Sequence, residues 1–317
     1  MRRRSFLLGT SAAAVGLGCG QVFDVDPLPG VVEIAFEDRM PAFFAFWEQS
    51  RGLPPDTRRA RFEAEILGPD RALYTPPVLP ARHLDDRLDG WLATLDANVP
   101  AMRETHTRFV SEREAAESRF TAALPDFDWR GRVVLYPSVS AFVGAARLLE
   151  GHPAVLLGLD TAASESRDLV LSLHHELFHM YQVPGGENLA EALWVEGLAT
   201  YASLALTPGR SDADALPTSY RGASTVSLEA VMPPLVGELG PALRSELRQA
   251  STGAAYTRFF SERVADEAIP SRSGFWFGLT LVRRIARGRS LRELAALEPP
   301  SLVDEVDREL AALVRGG

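Results

Sequence analysis

The chain has no lysine: all 33 of its basic residues are arginine. Chemistry that runs through a lysine Schiff base therefore has no residue to use. Its single cysteine, Cys19, excludes an internal disulfide, an iron–sulfur cluster and a thiolate zinc cluster. Long apolar runs are also missing. The apolar stretch over 6–17 is about 12 residues, against the roughly 20 a helix needs to cross a bilayer. Positive charge falls short of negative, for a formal charge of −9, which counts against nucleic acid or an anionic membrane surface as the main partner. What remains is ordinary: 317 residues, 46% hydrophobic, 24% charged and 9% aromatic. That composition supports a substantial core and excludes a disordered, collagen-like or fibrous chain. No internal repeat or low-complexity tract is visible.

The first residues read as an address. Arg2, Arg3 and Arg4 precede the short apolar stretch, and small residues follow it, the pattern of an export signal over 1–18. Arg3-Arg4-Ser5-Phe6-Leu7 resembles a twin-arginine motif. Cys19 after Leu17-Gly18 resembles a lipoprotein cleavage site, with Gly16 where leucine is usual; ordinary cleavage nearby is the alternative. Removing 1–18 would leave the chain three charges more negative. The expected location is the cell envelope, periplasmic or outer surface, with membrane contact only through a lipid anchor at Cys19. Residues 19–30, with Pro27, Pro29 and Gly30, read as a tether.

The segment 31–51, rich in aromatics, is expected to open the fold as a helix. Leu88, Trp91, Leu92 and Leu95 recur at helical spacing, and Pro100 falls where a helix starts or kinks, so 31–130 reads as a helical region. The texture changes at Gly131. Val133-Val134-Leu135-Tyr136 and the stretch 154–159 are short apolar strand candidates, each followed by sequence of helical character. Residues 169–182 are apolar almost all round, as in a buried helix, and 189–206 form a second helix stopped by Pro208-Gly209. The metal-binding core is thus placed at 131–206 and a C-terminal helical region at 207–317. Ser290 with Glu293, and Ser301 with Asp304, each look like a capping box.

The chemistry is concentrated in His175-Glu176-Leu177-Phe178-His179, an H-E-x-x-H pattern on a predicted helix. Residues four apart share a helix face, so both imidazoles can reach one ion. Glu176 sits about 100° around the helix, within reach of a water on that ion. Polar residues on an otherwise apolar helix are costly to bury unless they ligate or hydrogen-bond something. Zinc in a catalytic site takes three protein ligands and leaves one position open. Glu187, Glu191 and Glu196 are the candidates for the third. Glu196 is favoured because Gly197 beside it removes a side chain and would let its helix approach the first. His174 points away from the ligand face; His83, His106 and His152 lack partner spacing. Glu187 and Glu191 read as solvated helix faces, and Phe275-Trp276-Phe277-Gly278 as helix packing.

Together HELFH and Trp194-Val195-Glu196-Gly197-Leu198-Ala199-Thr200-Tyr201 resemble the paired motifs of the gluzincin metallopeptidases. The likeness extends to the aminopeptidase-N-like and glycyl-aminopeptidase-like groups and to uncharacterised zinc proteases, and covers about 168–202. It implies one Zn²⁺ ion held by His175, His179 and Glu196, with Glu176 as general base taking a proton from the zinc-bound water. The Gly-x-Met-Glu-Asn exopeptidase motif of the aminopeptidases is absent, and Thr200 stands where an Asp that orients a histidine is common. The clan also uses a downstream Tyr or His as an oxyanion donor. No histidine follows His179, so Tyr256 and Tyr220 are the candidates, with Arg272 behind them. The stretch 154–159 is either the edge strand that pairs an extended substrate or a plain core strand.

The expected fold is α+β and mostly helical, a zincin-like core of a small sheet and an active-site helix between helical N- and C-terminal parts. The expected function is zinc-dependent hydrolysis of peptide bonds in a peptide or protein substrate, with no nucleic-acid partner. Two alternatives are a non-catalytic zinc-binding envelope lipoprotein and a zinc amidohydrolase acting on a non-peptide amide such as a cell-wall crosslink.

Overall fold

The computed structural model describes residues 5–7, 22–24, 32–182, 187–262 and 268–316. The expected signal (1–18) and tether (19–30) lie outside these residues, apart from two three-residue strands, β1 (Ser5–Leu7) and β2 (Val22–Asp24), which pair antiparallel.

Runs of apolar residues covered on both faces build the sheet at the centre. Its strands are β3 (Glu33–Asp38), β4 (Arg130–Tyr136), β5 (Gly144–Leu149) and β6 (His152–Gly158), in the spatial order β3-β4-β6-β5. β3, β4 and β6 run parallel, and β5 pairs antiparallel with β6 at the edge. Val133 to Tyr136 and Ala154 to Leu157 have essentially no exposed surface. The stretch 154–159 is therefore a core strand flanked on both sides, not an edge.

Two strands of this sheet depart from the sequence expectation, as does a short hairpin, Ser219–Arg221 with Ser224–Val226, inside the region expected to be helical over 207–317. Residues 33–38 are not the start of a helix. Their exposure alternates at Glu33, Ile34, Ala35 and Phe36, the two-residue period of a strand, and α1 (Met40–Ser50) begins only after Asp38 Oδ1 accepts Met40 N–H at 2.9 Å. Gly144–Leu149 is a strand rather than helical, because Glu150 (φ 54°) and Gly151 (φ 82°) turn the chain back in two residues. Two consecutive positive φ values match the right-handed twist of the paired strands.

Helices supply the rest. α2 (Pro55–Phe62) and α3 (His83–Ala123) follow α1; α3 runs 41 residues through Pro100, about 60 Å of rod. After the sheet come α4 (Leu159–Ser164), α5 (Leu169–Tyr181), α6 (Leu189–Leu206) and α7 (Asp212–Ala215), and then a hairpin of β7 (Ser219–Arg221) and β8 (Ser224–Val226). α8 (Leu228–Val231), α9 (Val236–Glu246), α10 (Ala254–Phe260), α11 (Ser273–Ile285), α12 (Leu291–Ala295) and α13 (Pro299–Gly316) complete the chain. The architecture is α+β and mostly helical, and one continuous core takes side chains from Met40 to Leu310. The Ser290–Glu293 capping box forms at α12. Its counterpart at Ser301 does not: α13 starts earlier, Ser301 Oγ donates to Glu298 O at 3.1 Å, and Asp304 pairs with Arg248.

The two site helices are fixed at their starts. Asp168 caps α5, its Oδ1 accepting from Val170 N at 2.8 Å, and Asn188 Oδ1 caps α6 by accepting from Glu191 N at 3.1 Å. The first amides of α6 are also taken by the chain ahead of α10: Leu189 N donates to Gln249 O and Ala190 N to Leu247 O, both at 2.9 Å. Gly197 has a different partner from the one expected. A Cβ there would meet Gly278 C at 2.3 Å, and one on Gly278 would meet Leu193 O at 2.4 Å, so Gly197 brings α6 against α11, not α5.

Because both contacts are backbone, no side-chain rotation relieves them. Gly278→Ala should cost about 1–3 kcal/mol through overpacking, read as a lower urea midpoint at unchanged m-value; an unchanged midpoint would show that the crossing is loose.

Candidate metal centre

α5 turns Leu171, Ser172, His175 and Glu176 toward a cleft of about 1140 Å³ including its open mouth. One turn further on, His179 is buried beneath that surface. α6 packs against α5 and brings in Glu196, also buried. His175 Nε2 lies 3.0 Å from His179 Nε2 and 3.3 Å from Glu196 Oε2, and His179 Nε2 lies 3.6 Å from the same oxygen. Ligand atoms about 2.0–2.1 Å from a tetrahedral zinc stand about 3.3 Å apart. The observed triangle brackets that value.

Glu196 Oε2 is buried and has no hydrogen-bond partner among the described residues. A carboxylate oxygen left so is costly, and it faces two imidazole nitrogens that converge on it. Burial alone pushes the Glu196 carboxyl up, but His179 and His175 outweigh burial and bring it down to about 2. In turn, burial works against a charged His179 and Glu196 outweighs it, so that imidazole is held above its ordinary value. The donor set of two nitrogens and one oxygen, that oxygen without a hydrogen-bond partner among the described residues, fits a divalent cation. His175, His179 and Glu196 lie within ligand distance of one another and could hold a metal ion.

The other expected residues are placed as follows. Glu176 is not part of the triangle; it lies on the cleft wall against Gly144, where a Cβ would come within 2.9 Å of its Oε1. Tyr256 on α10 and Arg272 line the same cleft, while Tyr220 on β7 is not among the lining residues. Tyr256 stacks on Phe260 at 4.8 Å. Arg272 holds a left-handed backbone (φ 57°) and donates to Thr218 O at 3.0 Å. His174 is wholly buried away from the triangle, between Thr207 Oγ1 at 2.8 Å and Ala116 O at 3.0 Å, and burial lowers it to about 4. It is a neutral packing residue. Thr200 donates its hydroxyl to Glu196 O at 2.8 Å, so it braces α6 and is not bonded to a histidine. His83 and His106 are half-buried against Val139 O and Asp38, and His152 is exposed.

Glu187 is exposed, but Glu191 is not a solvated face. Only 4% of it is exposed, and its carboxylate accepts from Glu187 N at 3.1 Å and Asn188 Nδ2 at 2.7 Å, tying the turn before α6.

Three residues that no motif singled out also shape the site. Gly144, the first residue of β5, makes room for the Glu176 carboxylate. Gln182, at the end of α5, puts its side-chain nitrogen 2.7 Å from His179 Nδ1; its one sequence signal is helical i, i+3 spacing from His179. Arg147 on β5 is a buried guanidinium. Burial pushes it down, and Glu176 leads the charges that hold it up, with Glu196 among them. Nothing local in the sequence separates it from a surface arginine.

No family model, curated protein or solved structure matches this chain. The cleft and the triangle therefore carry the functional argument by themselves.

A metal bound only by the folded state stabilises it by mass action, about 2.7 kcal/mol at a hundred times Kd. Zinc titrated into purified protein should raise Tm by several degrees. Glu196→Gln should abolish the shift. A shift of equal size in Glu196→Gln would remove that residue from the ligand set.

Proposed function

We propose that the protein is a zinc-dependent metallopeptidase, exported to the cell envelope and anchored there through Cys19. The observation that carries this reading is the coincidence of a closed His175–His179–Glu196 triangle with a carboxylate, Glu176, which is outside the triangle and faces an open cleft. A site built only for structure has no use for that carboxylate or that opening. Zinc suits two imidazoles and a carboxylate better than magnesium or calcium, which favour all-oxygen shells.

Once bound, such an ion would lower the pKa of a coordinated water to about 7 and polarise a carbonyl. The chain's own residues supply the rest. Glu176 takes a proton from the attacking water as its oxygen bonds to the carbonyl carbon, and delivers that proton to the amine as the C–N bond breaks. The Tyr256 hydroxyl, which lines the same cleft, donates to the carbonyl oxygen as charge gathers there. Gly144 opens the edge strand β5 at the cleft, and an edge strand offers the backbone groups along which an extended peptide pairs. The anchor rests on the arginine-led N-terminal segment and Cys19; no described helix is long and apolar enough to cross a membrane.

Glu176→Gln keeps the shape and removes the base. Zinc content should be unchanged while hydrolysis of a mixed peptide library falls about 10²–10⁴-fold; undiminished hydrolysis would reject the mechanism. Gly144→Ala presses on the same carboxylate from β5. Displacements of about 1 Å cost on the order of 10²-fold, so kcat should fall at least tenfold with metal content retained. Unchanged kcat would show that Glu176 has room to spare.

A further inference from the structure

Gln182 is the C-terminal cap of α5 and only 4% exposed. Its Nε2 reaches His179 Nδ1 at 2.7 Å and donates to Val195 O at 3.2 Å, the carbonyl just before Glu196. Its Oε1 is buried without a hydrogen-bond partner among the described residues. In this setting His179 Nδ1 accepts, so a neutral ring carries its proton on Nε2. That nitrogen is the one pointing at His175 and Glu196, and a proton there blocks ligation.

A ring that ligates through Nε2 carries its proton on Nδ1. The amide nitrogen of Gln182 would then face an N–H, donor against donor. A half-turn of the carboxamide exchanges nitrogen and oxygen within nearly the same volume. It brings Oε1 to Nδ1–H at the cost of the 3.2 Å bond to Val195 O, whose oxygen then faces the amide oxygen in place of a donor. Resting on the metal reading of the triangle, and not on the peptidase reading, we propose that Gln182 is the positioning residue of the centre. Its side-chain oxygen accepts the His179 Nδ1 proton and so fixes the tautomer and ring orientation that present Nε2 to the ion.

The test uses zinc alone as probe on the full chain. Partners of this kind are worth about 10–100-fold in metal affinity. The Kd of Gln182→Leu, from chelator competition, should rise by that factor, and Gln182→Glu, which retains an acceptor, should recover most of it. In zinc-loaded, ¹⁵N-histidine-labelled wild type, the His179 Nδ1 proton should be hydrogen-bonded and slow to exchange. Wild type that binds no zinc defeats the metal reading itself. Zinc held equally by wild type and Gln182→Leu, a loss not recovered by Gln182→Glu, or a freely exchanging Nδ1 proton overturns the inference while the metal reading stands. Should Gln182→Leu fail to fold, the wild-type spectrum decides alone.

Discussion

A half-buried and a buried imidazole and a buried carboxylate, held 3.0–3.6 Å from one another, are the constraint on which the rest of the structure depends. Desolvating such groups costs several kcal/mol each unless charge and hydrogen bonds compensate. Without an ion, the compensation is partial: Glu196 and His179 each shift the other toward its charged form, yet Glu196 Oε2 has no hydrogen-bond partner among the described residues. A cation at the centre of the triangle would satisfy that oxygen and both nitrogens at once. The surrounding scaffold therefore has to hold two helices in a fixed register against an unfavourable local arrangement.

It does so through contacts remote from the chemistry. Asp168, besides capping α5, accepts from Arg210 Nε at 2.6 Å, which ties the start of α5 to the chain beyond α6. Backbone bonds from Leu189 and Ala190 to the 247–249 segment set the start of α6. The Gly197–Gly278 crossing then locks α6 from its far side. Ahead of β5, buried Asp160 accepts from Ser138 N at 2.6 Å and Ser140 N at 2.7 Å. Those bonds hold Val139 and Ser140 at φ 56° and 55°. A β-branched residue in the left-handed region is strained, and the strain is spent on aiming the loop that leads into Gly144.

How much of this could be read from the chain follows from where each signal resides. The H-E-x-x-H pattern, the choice of Glu196 and the two site helices are legible because helical spacing alone puts those side chains on known faces. β5 was not legible: its small residues carry no strong pattern, and the turn at Glu150-Gly151 that makes it a strand depends on pairing with β6. β3 was hidden by the aromatic run that follows it and belongs to α1. Gly197 was recognised as permitting a close approach, but its partner, Gly278, is 81 residues away in sequence, and nothing local points to it. Glu191 and Arg147 look like solvated charges in sequence because burial is a property of the assembled core. Gln182 lies one helical turn past His179, yet Gln at that spacing has no meaning until Val195 is seen beside it.

The charges around the centre explain why Arg147 belongs there. Glu176 and Glu196 place two negative charges close together, and both lie within electrostatic reach of that buried guanidinium. Arg147 also opposes the charged form of His179, which favours the neutral imidazole a metal requires. A divalent ion added to two carboxylates and one guanidinium leaves the cluster with a net charge near +1. An excess positive charge stabilises an oxyanion more than a neutral carbonyl, because only the oxyanion carries the opposing charge. On the proposed hydrolytic reading, Arg147 would bias the same site in two steps, first toward ligation and then toward an oxyanion, from a strand whose first residue also makes room for the Glu176 carboxylate.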